Sequence, residues 1–311
     1  MSFAAVAGLA ALIGPACAGP GPSPTLDSNA RTVSSRLVFG HSVRGRPLRA
    51  VGLGHSGARR TALVVGSIHG DEAEGERIVR RLKQHPYPGL GRIRLWLVRT
   101  VNPDGRDAGT RENARGVDLN RGFSVDWRSG EPSGSGYYPG PKPFSEPEAR
   151  AVRRLVKRIR PDVTVWYHQP WGQVLLPCAG PAPLQKRYAA ISGLATKRCR
   201  GQGLPGTATR WQNQAVGGTA FVVELPGRAL ADAAIRRHAR AAASVAARGG
   251  RRLDLRRGHH RGPVDDARRG LLHARPLRLT DRAGDRERAA GAHQEPHRAL
   301  PRGDQDRLEL L

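Results

Sequence analysis

Lysine is scarce in this chain of 311 residues: Lys83, Lys142, Lys157, Lys186 and Lys197 are all it has, and arginine carries almost the whole net charge of +26. That skew fits a GC-rich coding bias as well as selection for a polyanionic partner. Taken alone, the charge suits acidic substrates, nucleic acid or an anionic cell-wall polymer equally. No Lys/Arg block is interleaved with aromatics and no nucleic-acid-binding motif occurs, so nucleic acid is not an expected partner. Aromatic residues make up 5% of the chain and none follows Phe221. The longest apolar run near the start, Phe3 to Gly14, is too short to span a bilayer as a mature helix, so no transmembrane span is expected. Cysteine occurs only at positions 17, 178 and 199, in a spacing unlike that of a zinc knuckle.

Four regions follow from what is present. Residues 1–18 read as a secretory signal peptide, with small residues around Cys17 and without the usual positive start. A Pro/Gly/Ser-rich linker covers 19–34. Export, as a secreted or cell-envelope protein, is the expectation, with a lipid anchor at Cys17 as the less favoured variant. Removal of Cys17 with the signal leaves Cys178 and Cys199, which either pair in an oxidising compartment or remain separate buried thiols. Residues 35–246 carry regular periodicity and form the expected folded domain. Beyond Ala247 no period persists, and residues 247–311 are an Arg-rich tail. Either it binds an anionic wall polymer or it is a frameshifted C-terminus, and His259, His260 and His273 within it are expected to bind nothing specific.

Within the domain, strands and helices alternate. Leu37–Phe39 and Leu48–Leu53 read as strands around a turn-rich connection. Ala62–Gly66 is a buried strand, and Ala73–Gln84 a helix returning over the sheet. Ile93–Val98, Val163–Tyr167 and Thr219–Leu225 are further buried strands, Gln185–Cys199 and Ala229–Ala246 further helices. Ser145-Glu146-Pro147-Glu148 predicts a helix start with Ser145 as cap and Glu148 returning the bond. Asn102-Pro103-Asp104-Gly105 reads as a tight turn. The long Gly-, Asn- and Arg-rich stretch from Asn102 to Pro143 is expected to build a functional surface. The alternation predicts an α/β fold: a mixed, mostly parallel central sheet with helices on both faces.

The stretch Leu63 to Glu72, LVVGSIHGDE, runs a buried strand into a loop that presents His69 and Glu72 at the sheet's edge, where open α/β sheets place ligands. Both side chains are good zinc donors. Alone, the pair is a weak signal and reads more readily as a salt-bridged surface couple. Further pieces accompany it: Asn102-Pro103-Asp104-Gly105, then Arg111-Glu112-Asn113-Ala114-Arg115-Gly116-Val117-Asp118-Leu119-Asn120-Arg121, then Tyr138 to Glu148 ending in SEPE. His168 and Glu224 stand at strand ends.

This ordered set resembles the zinc carboxypeptidase (M14) family over roughly residues 40–246, and within it the bacterial murein peptide amidases that cut γ-D-glutamyl–diaminopimelate bonds. The resemblance implies one Zn²⁺ per chain, held by His69, Glu72 and His168, with Asp118 behind the first histidine. It implies Glu224 as general base, Arg111 polarising the scissile carbonyl, and Asn120 with Arg121 gripping a substrate carboxylate. The implied partner is a short peptide with a free carboxylate, acted on by a monomer. Four features depart from or add to the pattern. Gly122 follows the Asn-Arg pair where the family often has Asn or Asp. Residues 201–218 hold no tyrosine, only Trp211, which fits the amidase branch. Arg210 is either a reader of an acidic substrate group or a surface arginine, and Trp171 is either an aromatic wall or a packed loop residue. The alternatives are a desuccinylase/aspartoacylase-like amidohydrolase of small N-acyl amino acids, or a non-catalytic wall-binding protein with the same fold.

Overall fold

Eight strands form one sheet in the order β1-β2-β4-β3-β5-β8-β6-β7. The computed structural model describes Met1 and residues 35–249, apart from 56, 200 and 202. The expected signal peptide with Cys17, the linker, and the tail beyond 249 with His259, His260 and His273 lie outside the described residues. β1 (Ser35–His41) and β2 (Pro47–Gly54) make an antiparallel pair at one edge. The centre is parallel: β4 (Arg94–Val98), β3 (Thr61–Val65), β5 (Val163–His168) and β8 (Thr219–Pro226) lie side by side. β6 (Trp171–Leu176) pairs antiparallel with β8, and the short β7 (Ala195–Arg198) closes the far edge. The sheet is thus mixed with a parallel core.

Side chains alternate across the pleat and so divide the core in two. Ala62, Val64, Val165, Tyr167, Phe221 and Val223 point to one face, under α1 (Glu74–Gln84), α4 (Pro183–Ser192) and α6 (Asp232–Arg248). Leu63, Val65, Trp166 and Ala220 point to the other, under α3 (Pro147–Ile159) and α5 (Ala208–Ala215). β3 has β4 on one side and β5 on the other. The chain therefore reverses direction at β3, and the crevice beyond its C-terminal end is where such sheets bind ligands.

Several local expectations need correction. Asn102-Pro103-Asp104-Gly105 is no isolated turn but the start of helix α2 (Pro103–Ala108): the Asn102 side chain accepts from Gly105 N at 2.9 Å, and Pro103 sits in the first helical turn, where its missing N–H is not needed. Ser145 does not cap α3. Glu146 holds the cap position without a side-chain bond, while Glu148 turns inward to accept from Val43 N at 2.8 Å. Burial of that carboxylate against a neighbouring loop outcompetes the local capping box. The helix expected over Gln185–Cys199 ends at Ser192, because Gly193 adopts φ 80° and terminates it; the residues beyond pair with β6 as β7. Strand β6 and helix α5 had no strong periodic signal. Cys178 and Cys199 are joined by a disulfide that ties the end of β6 to the end of β7.

One polar chain crosses the otherwise apolar core under α4 and α6. Tyr167 Oη lies 2.9 Å from Tyr188 Oη, which lies 2.9 Å from His238 Nδ1. Burial, and secondarily Arg237, pushes the His238 pKa down to about 4. The unfolded chain, with a histidine near 6.5, therefore binds the extra proton first as pH falls. Stability is complete above pH 6.5 and drains between 6.5 and 4, by roughly 3 kcal/mol at the lower limit. Urea midpoints recorded from pH 7 to 4 are expected to fall in this window, and H238Q to flatten that part of the curve.

Candidate metal and peptide site

Three sequence motifs meet backbone to backbone beyond the C-terminal end of β3. A methyl group added at Gly70 would sit 2.0 Å from Gly105 C, and one at Gly105 would sit 2.3 Å from Glu112 O. Glycine at both places lets the HGDE loop, α2 and the Arg111 loop close on one another. Asn102 Nδ2 reinforces the junction by donating to Arg111 O and Glu112 O at 3.3 and 3.0 Å. Asn113 adds a brace on the far side, bonding Glu146 and Glu148 at 2.8 and 3.2 Å.

His69, Glu72 and His168 arrive from this loop and from the end of β5, all buried, with their candidate ligand atoms within 4.8 Å of one another. Glu72 Oε1 lies 2.7 Å from His69 Nδ1, and its Oε2 lies 2.9 Å from His168 Nδ1. On its other side His69 Nε2 meets Asp118 Oδ1 at 3.0 Å. That contact favours the proton on Nε2 and leaves the Nδ1 lone pair facing Glu72 and His168, as a ligating imidazole requires. Two imidazole nitrogens and a carboxylate, converging and buried, fit the donor set of a catalytic zinc, three protein ligands with one position left open.

The electrostatics follow from this crowding. Burial opposes the charge on Glu72, yet His69 and His168 outweigh it and hold its pKa well below the usual carboxylate range. His69 is also disfavoured as a cation by burial, but Glu72 and Asp118 together raise its pKa. For His168 burial wins and its pKa is lowered despite Glu72. Asp118 is fully buried; burial works against its charge, and His69 with Arg111 overcomes that and lowers its pKa strongly. Arg111 grips Asp118 Oδ2 through Nη2 at 2.8 Å and Nε at 3.2 Å, and its Nη1 reaches Glu72 Oε1 at 3.4 Å.

Glu224 comes from the neighbouring strand. The register of β5 and β8 sets it directly beside His168. Its Oε2 is buried with no hydrogen-bond partner. Burial first, and the Glu72 charge second, pushes its pKa up to about 8. Asn120 accepts from Ala208 N at 3.0 Å and brings Nδ2 to 3.4 Å from His168 Nε2. Arg121 donates to Asn120 O at 3.0 Å. All the expected site residues line or adjoin one cleft of about 1210 Å³, whose wall also includes the Cys178–Cys199 disulfide. Trp171 is a wall residue, 39% exposed. Arg210 also faces the cleft, although one of its nitrogens is ion-paired with Asp126. Sequence reading missed Tyr137, whose ring lies under the Arg111 and Arg121 guanidinium groups. Its one visible signal was an aromatic pair, Tyr137-Tyr138, closing a glycine-rich run.

The sheet and the His–Glu–His group define an α/β protein with a cleft at the switch point of a mixed sheet whose buried side chains could hold a metal ion. A zinc carboxypeptidase family profile matches residues 25–187, and the chain belongs to that family. Murein peptide amidase A of Escherichia coli K12 is 34% identical over 143 residues, an alignment covering 42% of this chain and 58% of that protein. Carboxypeptidase B of Astacus astacus is 27% identical over 169 residues, covering 43% and 55%. The chain thus aligns with little more than half the length of these curated relatives. The crystal structure of murein-tripeptide amidase MpaA from Escherichia coli O157 superposes with a TM-score of 0.58 at 28% identity, over 68% of this chain and 92% of that one. Carboxypeptidase A of Helicoverpa armigera, at 18% identity and a TM-score of 0.60 over 70% and 68%, shares the fold. The family match ends before β8, so the placement of Glu224 rests on strand register.

Asp118 holds a candidate ligand, His69, and an arginine at once, and D118N should disturb both. Zinc affinity is expected to fall about 10- to 100-fold, and folding stability by roughly 3 kcal/mol, because Arg111 keeps its charge and loses its partner. Competition with a chelator reads the first effect and urea denaturation the second.

Proposed function

We propose that this chain is an exported zinc peptidase that hydrolyses an amide bond in short peptides bearing a free carboxylate. Cell-wall muropeptides with a γ-D-glutamyl–diaminopimelate bond are its substrates in this reading. The observation that carries it is the buried Glu224 carboxylate, whose Oε2 has no hydrogen-bond partner among the described residues, beside the convergent His69, Glu72 and His168. A solvated strand-end glutamate would have neither burial nor a raised pKa, and both bring a carboxylate closer to the proton affinity that base catalysis near neutral pH uses.

His69, Glu72 and His168 would hold the metal, which when bound supplies Lewis acidity to the scissile carbonyl and acidity to a water molecule. Glu224 takes the proton of the attacking water on its free Oε2 and passes it to the departing amine. Arg111, locked by Asp118 with its Nη1 directed at Glu72, offers fixed positive charge to the oxyanion that develops beside the ligands. Arg121, with Asn120 behind it, receives the substrate carboxylate, for which a guanidinium fork is well shaped. Arg128, Lys197, Arg198 and Arg210 line the same cleft and favour a substrate with several negative charges. Similarity to murein peptide amidase A supports a muropeptide over a simple protein C-terminus.

Incubation of the full-length protein with L-Ala-γ-D-Glu-diaminopimelate, beside ordinary C-terminal dipeptides, is expected to release diaminopimelate by mass spectrometry. Absence of stoichiometric zinc in the purified protein would sink the enzymatic reading. E224Q should keep its zinc and lose about 10²- to 10⁴-fold in kcat; normal turnover in E224Q would remove Glu224 from the mechanism.

The base must be unprotonated, so kcat/KM is expected to climb with pH through the Glu224 pKa and then level. Burial and Glu72 place that pKa at about 8 without metal, and a bound dication lowers it. A wild-type profile flat down to pH 5 would contradict the assignment.

A further inference from the structure

Two guanidinium groups share one aromatic ring at the side of the cleft. Arg111 Cζ lies 5.0 Å and Arg121 Cζ 5.8 Å from the Tyr137 ring centroid. Tyr137 is 38% exposed and faces the same cleft as the metal-binding group and Glu224. The two cations are anchored very differently. Arg111 has the Asp118 carboxylate at 2.8 and 3.2 Å and donates again to Gly136 O at 3.1 Å. Arg121 donates only to a backbone carbonyl, Asn120 O at 3.0 Å, and forms no ion pair among the described residues. The Asp118 charge attracts it without a direct bond, and the face of Tyr137 is the side-chain contact that orients it.

The ring itself is well placed to act as an anchor. Gly136 O, immediately before it, accepts from Arg111. Tyr138 O, immediately after it, accepts from Asp118 N at 2.8 Å. The Tyr137 amide donates to Ser135 Oγ at 3.2 Å, inside a loop turned by Gly134 and Gly136 at φ 87° and 79°. The loop is therefore tied to the site on both sides of the ring. Burial disfavours the charge on Arg121, Asp118 favours it, and the like charge of Arg111 opposes it in turn. The negative π-face of tyrosine between two such cations offsets that repulsion.

We propose that Tyr137 is a positioning residue that holds Arg121 in the cleft to receive the substrate carboxylate, while Arg111 keeps its place through Asp118. The proposal rests on the functional reading above, in which Arg121 binds that carboxylate. It separates two kinetic constants. Loss of the ring frees Arg121 and weakens carboxylate binding, but leaves Arg111, Glu224 and the ligands in position.

The test is steady-state kinetics of the full-length chain on L-Ala-γ-D-Glu-diaminopimelate, with zinc content measured for each variant. Y137A is expected to raise KM about fivefold to tenfold with kcat within about twofold, while Y137F stays near wild type because a phenyl ring offers the same face. With the terminal carboxylates of the substrate amidated, Y137A and wild type should converge. An unchanged KM in Y137A, a fall confined to kcat, or a Y137F as impaired as Y137A would overturn the proposal. Should Y137A fail to fold, Y137L keeps bulk without the π-face and is read in its place. If the wild type hydrolyses no such peptide, the functional reading fails on its own, and calorimetric binding of glutarate to the zinc-loaded protein judges Tyr137 separately. Five- to tenfold weaker glutarate binding by Y137A supports the positioning role, and equal binding overturns it.

Discussion

A carboxylate with no solvent exposure is costly to keep ionised, and Asp118 is such a group. The structure meets that cost by surrounding it with donors. His69 Nε2, two nitrogens of Arg111 and the backbone amide of Asn120 all converge on its two oxygens. Each of those partners is itself a site residue or carries one. Asp118 fixes the ring of one candidate ligand, aims the guanidinium beside it, and sets the short helical turn that presents Asn120 and Arg121. Remove that charge and the three lose their common reference. The dense wording of the segment from Arg111 to Arg121 reflects this, since one buried anion dictates most of its polar residues.

Support for that centre comes from outside the cleft. Gly70 and Gly105 allow two loops and a helix to touch without side chains between them. Asn113, held by Glu146 and Glu148, props the Arg111 loop from behind and links it to the first turn of α3. SEPE thus serves the site by reaching sideways with its glutamates, not by starting a helix with its serine. The same arrangement explains why the stretch from Asn102 to Pro143 can be long and almost free of regular structure. Its backbone groups find turn partners, distant backbone partners such as Tyr138 O for Asp118 N, and the side chains of Asn102, Asn113 and Asp118 in place of a ladder.

How legible all this was in the sequence depended on what kind of force decided each element. The parallel centre was readable because LVV, VTVWY and TAFVVEL are buried on both faces and carry a continuous apolar signal. The ligand pair, the strand-end histidine and the strand-end glutamate were readable as an ordered set of motifs, and the structure brings these residues together. β6 and β7 were not readable. WGQVLL carries glycine and glutamine, and Ala195–Arg198 is short and mostly exposed, so their strand character comes from pairing with β8 and with each other. The capping of α3 was misread because Glu148 finds a better partner far away in sequence than near it. Tyr137 escaped notice for the same reason: its value lies in two arginines that only the folded loop sets against it.

The place of Glu224 beside His168 has a consequence for how such a cleft can diversify. Both side chains leave adjacent parallel strands at matched register, so their separation is set by the interstrand spacing of about 4.8 Å and the pleat, not by any loop. Loops around the mouth can lengthen, shorten or exchange aromatics for arginines without altering that interval. The sheet acts as a ruler for the chemistry, and what the loops are free to change is the identity of the molecule laid against it.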